Sequence, residues 1–89
     1  MGNEAISILY IDDEVHNLVA FKANFRRDYK IFTTESVDEA LTLLRENEIQ
    51  IIITDQRMPG KTGVEFLESV IKEFPDPIRI LLTGYSDIE

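Results

Sequence analysis

In this chain of 89 residues, the acidic pair Asp12-Asp13, the single Asp55 and the hydroxyl of Thr83 have the types and spacing to handle a phosphoryl group. Carboxylate oxygens are hard ligands and suit a cation such as Mg²⁺, which keeps several waters and binds through one or two carboxylates. A carboxylate can also act as a nucleophile and form an acyl phosphate. A hydroxyl and backbone N–H groups at a strand-loop turn can hold the remaining phosphoryl oxygens. Taken singly, each residue has a plainer reading. An acidic pair before a helix commonly caps it and complements its dipole. An Asp closing a strand commonly serves the turn, and Thr83 before Gly84 reads as a helix start. The chemistry requires a fold that brings the four together.

The elements that must do this are legible in the hydrophobic pattern. A β-branched apolar run over 6–11 stops at Asp12-Asp13-Glu14. Val15, Leu18, Phe21 and Phe25 then recur at helical spacing, up to Arg26-Arg27, where basic residues suit a helix C-terminus. Residues 29–34 read as a second strand. Ser36 with Glu39 predicts a capping box, opening a helix whose apolar face is Val37, Ala40, Leu41 and Leu44. A third strand over 51–54 ends at Asp55, and a loop with Pro59, Gly60 and Gly63 leads to a helix carrying Val64, Leu67, Val70, Ile71 and Phe74. Pro75 and Pro77 end it, and 78–82 is a fourth strand running into Thr83-Gly84-Tyr85-Ser86.

Strands alternating with helices predict an α/β fold, a doubly wound parallel sheet covered by helices on both faces. In the flavodoxin-like order 2-1-3-4 the first and third strands are neighbours, and ligands bind outside the carboxyl ends of the strands. Asp12, Asp13 and Asp55 then share one crevice. At about 5 Å and an effective dielectric near 20, each ionised pair repels by roughly 3 kcal/mol. No basic residue occurs at the ends of the first or fourth strand to relieve this, so the cluster argues for a bound divalent cation, Mg²⁺ or Mn²⁺.

Composition narrows the classes. There are 17 acidic against 9 basic residues, a net charge of -8, and no cysteine. Direct nucleic-acid contact by this segment is disfavoured by that charge, and disulfides, thiolate metal sites and cysteine nucleophiles are excluded. No apolar run approaches the roughly 20 residues that span a bilayer. The N-terminus has no basic leader before an apolar stretch, and Ile6 stands where a myristoylation motif wants Ser or Thr. The expectation is a cytoplasmic domain without membrane contact.

The runs Leu9-Tyr10-Ile11-Asp12-Asp13-Glu14, Ile53-Thr54-Asp55-Gln56-Arg57-Met58-Pro59-Gly60 and Ile80-Leu81-Leu82-Thr83-Gly84 together resemble the receiver domains of bacterial two-component response regulators, in order and spacing and over essentially the whole chain. The resemblance implies a CheY-like fold, a receiver over 1–89 that lacks the family's fifth strand and last helices, and a regulatory phosphoacceptor rather than a conventional enzyme. It implies that Asp55 accepts a phosphoryl group from the phosphohistidine of a sensor kinase or phosphotransfer protein and so switches an output domain or partner. It further implies Asp13 and Asp55 as Mg²⁺ ligands, Asp12 acting mainly through water, the Arg57 backbone carbonyl as a third direct ligand, and Thr83 as the hydroxyl that contacts the phosphoryl group and transmits the switch. The lysine that the family carries on its fifth strand has no counterpart here, and neither Lys61 nor Lys72 takes its role. With that strand missing, the fourth becomes an apolar edge that favours a dimer.

Two other readings stand beside this one. A metal-dependent phosphatase with an aspartate nucleophile would carry Asp-x-Asp after its first strand, where this chain has Asp12-Asp13-Glu14. A phosphate-independent interaction module on the same fold would be marked by loss of an acidic residue or of Thr83, and all are retained. Gly60-Lys61-Thr62 imitates the end of a P-loop, but its first glycine would fall at Asp55. His16 reads as a solvated helix residue.

Overall fold

The structure, a computed structural model, describes residues 5–58 and 60–82. Strands and helices alternate along it: β1 (Ser7–Ile11), α1 (Val15–Phe25), β2 (Lys30–Thr34), α2 (Val37–Glu46), β3 (Ile51–Asp55), α3 (Gly63–Glu73) and β4 (Ile78–Leu82). All strand pairs are parallel, in the order β2-β1-β3-β4. The register sets Ile11 between Thr34 and Thr54, and Asp55 opposite Leu82. The carboxyl ends of β1 and β3 therefore finish level with each other, as the sequence pattern predicts.

The pleat sends alternate residues to opposite faces. Leu9, Ile11 and Ile52 meet Ala40, Leu44, Phe66 and Val70 beneath α2 and α3. Ile8, Tyr10, Ile31 and Ile53 meet Leu18 of α1 on the other face. β1 is buried along its whole length, which is why residues 8–11 form an unbroken apolar run rather than an alternating one. Phe66 is fully buried, a transfer worth roughly 1.5–3 kcal/mol for such a side chain.

Two expectations, on the face of α1 and on the Ser36 capping box, need correction. In α1 only Leu18 is buried; Val15 and Phe25 are 48% and 41% exposed. A lone helix touches a sheet along one narrow row, here Leu18 and half-buried Phe21, and the flanking residues stay at its rim. β4 stands at the edge of the described sheet with Ile78, Ile80 and Leu82 exposed, the apolar edge expected of the fourth strand. Its register places Ile78 and Ile80 beside Ile51 and Ile53, on the side of the sheet that carries α1, and none of the described helices covers them. The Ser36 capping box is half formed. Ser36 Oγ accepts from the Glu39 N–H at 3.2 Å, but the Glu39 carboxylate accepts from the Thr34 hydroxyl, and the Ser36 N–H donates to Thr34 Oγ1 at 3.1 Å. The complete box lies on α3. There the Glu65 N–H donates to Thr62 Oγ1 at 3.1 Å, and the Thr62 N–H donates to Glu65 Oε1 at 2.9 Å.

Two glycines shape the route from β3 into α3. Gly60 has φ +81°, a left-handed conformation that costs other residues about 1–2 kcal/mol. Gly63 sits against the sheet: a Cβ there would collide with the Asp55 carbonyl oxygen and lie 2.7 Å from Leu81 Cδ1. The Gly63→Ala variant is expected to lose about 1–3 kcal/mol of stability, as overpacked sites do. A urea midpoint equal to that of the parent protein would contradict this reading.

Candidate functional site

Three carboxylates converge at the carboxyl edge of the sheet. Asp12 follows β1 and is buried, Asp13 is exposed, and Asp55 closes β3 half-buried. Each can offer one oxygen such that all three oxygens lie within 4.8 Å of one another. The convergence follows from register, because Ile11 pairs with Thr54 and the next residue on each strand is an aspartate. Neither Asp12 nor Asp13 caps α1. Its N-cap is Glu14, which makes no side-chain capping bond, so the plainer reading of the acidic pair does not hold.

Asp12 is held by three donors. The Tyr10 hydroxyl donates to Oδ2 at 2.6 Å, the Asn17 side-chain amide donates to the same oxygen at 3.1 Å, and the Glu14 N–H donates to Oδ1 at 2.9 Å. Burial, followed by the hydrogen bond to Asp12 and the nearby Asp12 and Asp55 charges, pushes the Tyr10 phenol well above its ordinary pKa, so it stays a donor. Asp55 is pushed up too, first by burial, then by the Asp12 charge, with Asp13 adding less. The backbone N–H groups of Arg57 and Gln56 pull the other way. Gln56 also fastens the loop that follows. Its N–H donates to the Leu82 carbonyl, its carbonyl accepts from the Gly63 N–H, both at 3.1 Å, and its Oε1 accepts from the Val64 N–H at 3.0 Å. Asp13 lines an open crevice of about 600 Å³ with Glu35, Ser36, Asp38, Gly60 and Lys61, so the cluster is reached from solvent.

The structure thus brings together Asp12, Asp13 and Asp55, with the Arg57 amide beside them. Thr83 lies outside the described residues, as do Pro59, Gly84 and Tyr85. His16 is exposed on α1, as expected. Tyr10, Asn17 and Gln56 were not singled out by sequence reasoning. Period-two alternation on β1 carried the signal for Tyr10, since it puts residues 10 and 12 on one face. No comparable pattern marks Asn17 or Gln56.

The family model for the response regulator receiver domain matches residues 8–89. The chain belongs to the response-regulator receiver family. As a receiver it is similar to the hydrogenase transcriptional regulatory protein HoxA of Cupriavidus necator, 38% identical over the whole chain and 18% of that protein. It therefore spans less than a fifth of that regulator's length. Among solved structures it resembles a response regulator receiver domain protein from Clostridium thermocellum, with TM-score 0.82 and 35% identity over 92% of this chain and 68% of that one. It also resembles the response regulator TrrA of Thermotoga maritima in complex with Mg²⁺-BeF, with TM-score 0.81 and 34% identity over 91% of this chain and 71% of that one. Membership places this receiver in two-component phosphorelay signalling. No helix among its described residues is long and apolar enough to cross a membrane.

The raised pKa of Asp55 has a thermodynamic consequence. A carboxyl whose folded-state pKa exceeds its unfolded one costs stability when ionised, and that cost is shed as pH falls through the folded value toward the unfolded one. Without metal, the Asp55→Asn receiver is expected to be more stable than the parent at pH 7, with the difference closing as pH falls to about 4. Urea unfolding in a chelator across that range measures it, and a parent more stable than the variant at pH 7 would contradict it.

Proposed function

We propose that this receiver takes a phosphoryl group on Asp55 beside a divalent cation, from the phosphohistidine of a sensor kinase or phosphotransfer protein, and so switches an output domain or partner. The observation carrying the proposal is the convergence of Asp12, Asp13 and Asp55 within 4.8 Å in a chain that matches the receiver family.

The donor set suits Mg²⁺ or Mn²⁺: it is all oxygen, open on the Asp13 side and rich in negative charge. Asp13 and Asp55 would hold the ion directly, Asp12 mainly through water, and the Arg57 backbone carbonyl would add a neutral ligand. When bound, such a cation screens the repulsion among the carboxylates and the charge of the incoming phosphoryl oxygens. Asp55 then acts as the nucleophile. One of its oxygens forms a bond to phosphorus as the phosphorus–nitrogen bond to the donor imidazole breaks, with the electron pair leaving on nitrogen. The Gln56 and Arg57 N–H groups, which donate to the Asp55 carboxylate, hold it in place for the attack. Thr83, next after β4, would contact the phosphoryl oxygens and pass the change along the chain.

Two measurements test this reading. Mg²⁺ is expected to bind at one site and to raise the melting temperature as a ligand of the folded state does; Asp13→Asn and Asp55→Asn should each weaken it strongly. Affinity unchanged in both variants would place the ion elsewhere. With Mg²⁺ and acetyl phosphate, intact-mass analysis should show one added phosphoryl group that hydroxylamine removes. Labelling that persists in Asp55→Asn would overturn the assignment.

A further inference from the structure

An ionised carboxylate has about four lone-pair sites, two on each oxygen. In Asp12, Oδ2 accepts from both Tyr10 and Asn17, so both of its sites are filled. Oδ1 accepts only the Glu14 N–H, which leaves one site. The two donors on Oδ2 come from different elements, and the first of them is packed in place. Tyr10 is on β1, nearly fully buried, with its ring against Phe21 at 4.8 Å between centroids. Asn17 is on the first turn of α1. Asp12 is 1% exposed, so bulk water does not compete freely for its carboxylate.

We infer that Tyr10 and Asn17 are positioning residues that close Oδ2 of Asp12 to any cation, leave this carboxylate a single site on Oδ1 that suffices for a cation-bound water, and thereby favour Mg²⁺ over Ca²⁺ at the site. The selectivity follows from coordination chemistry. Ca²⁺ takes six to eight oxygens and readily uses both oxygens of one carboxylate, whereas Mg²⁺ demands an octahedron of single oxygens and retains water. One free site on Oδ1 is enough to accept from a water that Mg²⁺ retains, but it denies Ca²⁺ the two-oxygen contact that would fill its larger shell. Neutral donors that orient a ligand in this way typically change metal affinity by about 10–100-fold when removed. The inference rests on the metal reading proposed above.

The test is calorimetric titration of the protein with MgCl₂ and, separately, CaCl₂, comparing the parent with Tyr10→Phe, Asn17→Ala and the double variant. The quantity read is the ratio of the two affinities, which a general loosening of the loop would leave unmoved. In the double variant the ratio of Mg²⁺ to Ca²⁺ affinity should fall by about tenfold, with the single variants between. Tyr10→Phe keeps the ring packed on Phe21, and exposed Asn17→Ala carries the test alone if the buried substitution impairs folding. Phe21→Leu, which disturbs packing but leaves both donors, should preserve the ratio. Equal weakening of both ions, or an unchanged ratio while the parent binds Mg²⁺ at one site, overturns the inference and leaves the metal reading intact. A parent that binds no Mg²⁺ overturns both.

Discussion

Like-charge repulsion among Asp12, Asp13 and Asp55 is the constraint around which the carboxyl edge of this sheet is organised. Parallel pairing of β1 with β3 brings the carboxylates within 4.8 Å, where each ionised pair costs a few kcal/mol at an intermediate dielectric. The protein offsets part of this with neutral dipoles. Tyr10, Asn17 and the Glu14 amide donate to Asp12, and the Arg57 and Gln56 amides reach Asp55. Hydrogen bonds of this kind stabilise charge without cancelling it, so the cluster stays attractive to a cation.

The same edge is joined to the core from both sides. Tyr10 belongs to the cluster packed under α1 and, through Phe21, Phe25 and Tyr29, to a run of ring contacts at 4.8, 4.8 and 6.4 Å. Its hydroxyl nevertheless ends on a carboxylate of the site. On the opposite face, Gly63 lets the first turn of α3 rest on the Asp55 carbonyl, while Gln56 ties Leu82, Gly63 and Val64 to the residue after Asp55. The backbone around Asp55 is therefore joined to the start of α3 and the end of β4 through short, directional contacts.

The two faces of the sheet are unequally filled. α2 and α3 cover one face and are bridged at their far ends by the two-pronged Arg45–Glu73 pair, at 3.0 and 3.2 Å. α1 covers β1 and β2 on the other, leaving the apolar row of β4 exposed. The acidic site thus sits at the end of β1, the strand buried along its whole length.

Much of this was determined by sequence alone. Apolar runs broken by Asp12-Asp13 and Asp55, with helical spacing between them, specify a doubly wound parallel sheet with right-handed connections, and in the flavodoxin-like order that the receiver motifs imply those aspartates come together. What the pattern could not decide depends on three-dimensional competition. Whether Glu39 closes a box on Ser36 or accepts from Thr34 depends on where β2 ends relative to α2. Whether Val15, Phe25 and Ile80 are buried depends on how far one helix reaches across a twisted sheet. The donors on Asp12 arise because Tyr10, two residues back on a strand, and Asn17, on the helix beyond the turn, arrive at one oxygen. Hydrophobic periodicity records which side chains leave water. It does not record which polar atoms meet after they have left, and that was decided only when the tertiary structure formed.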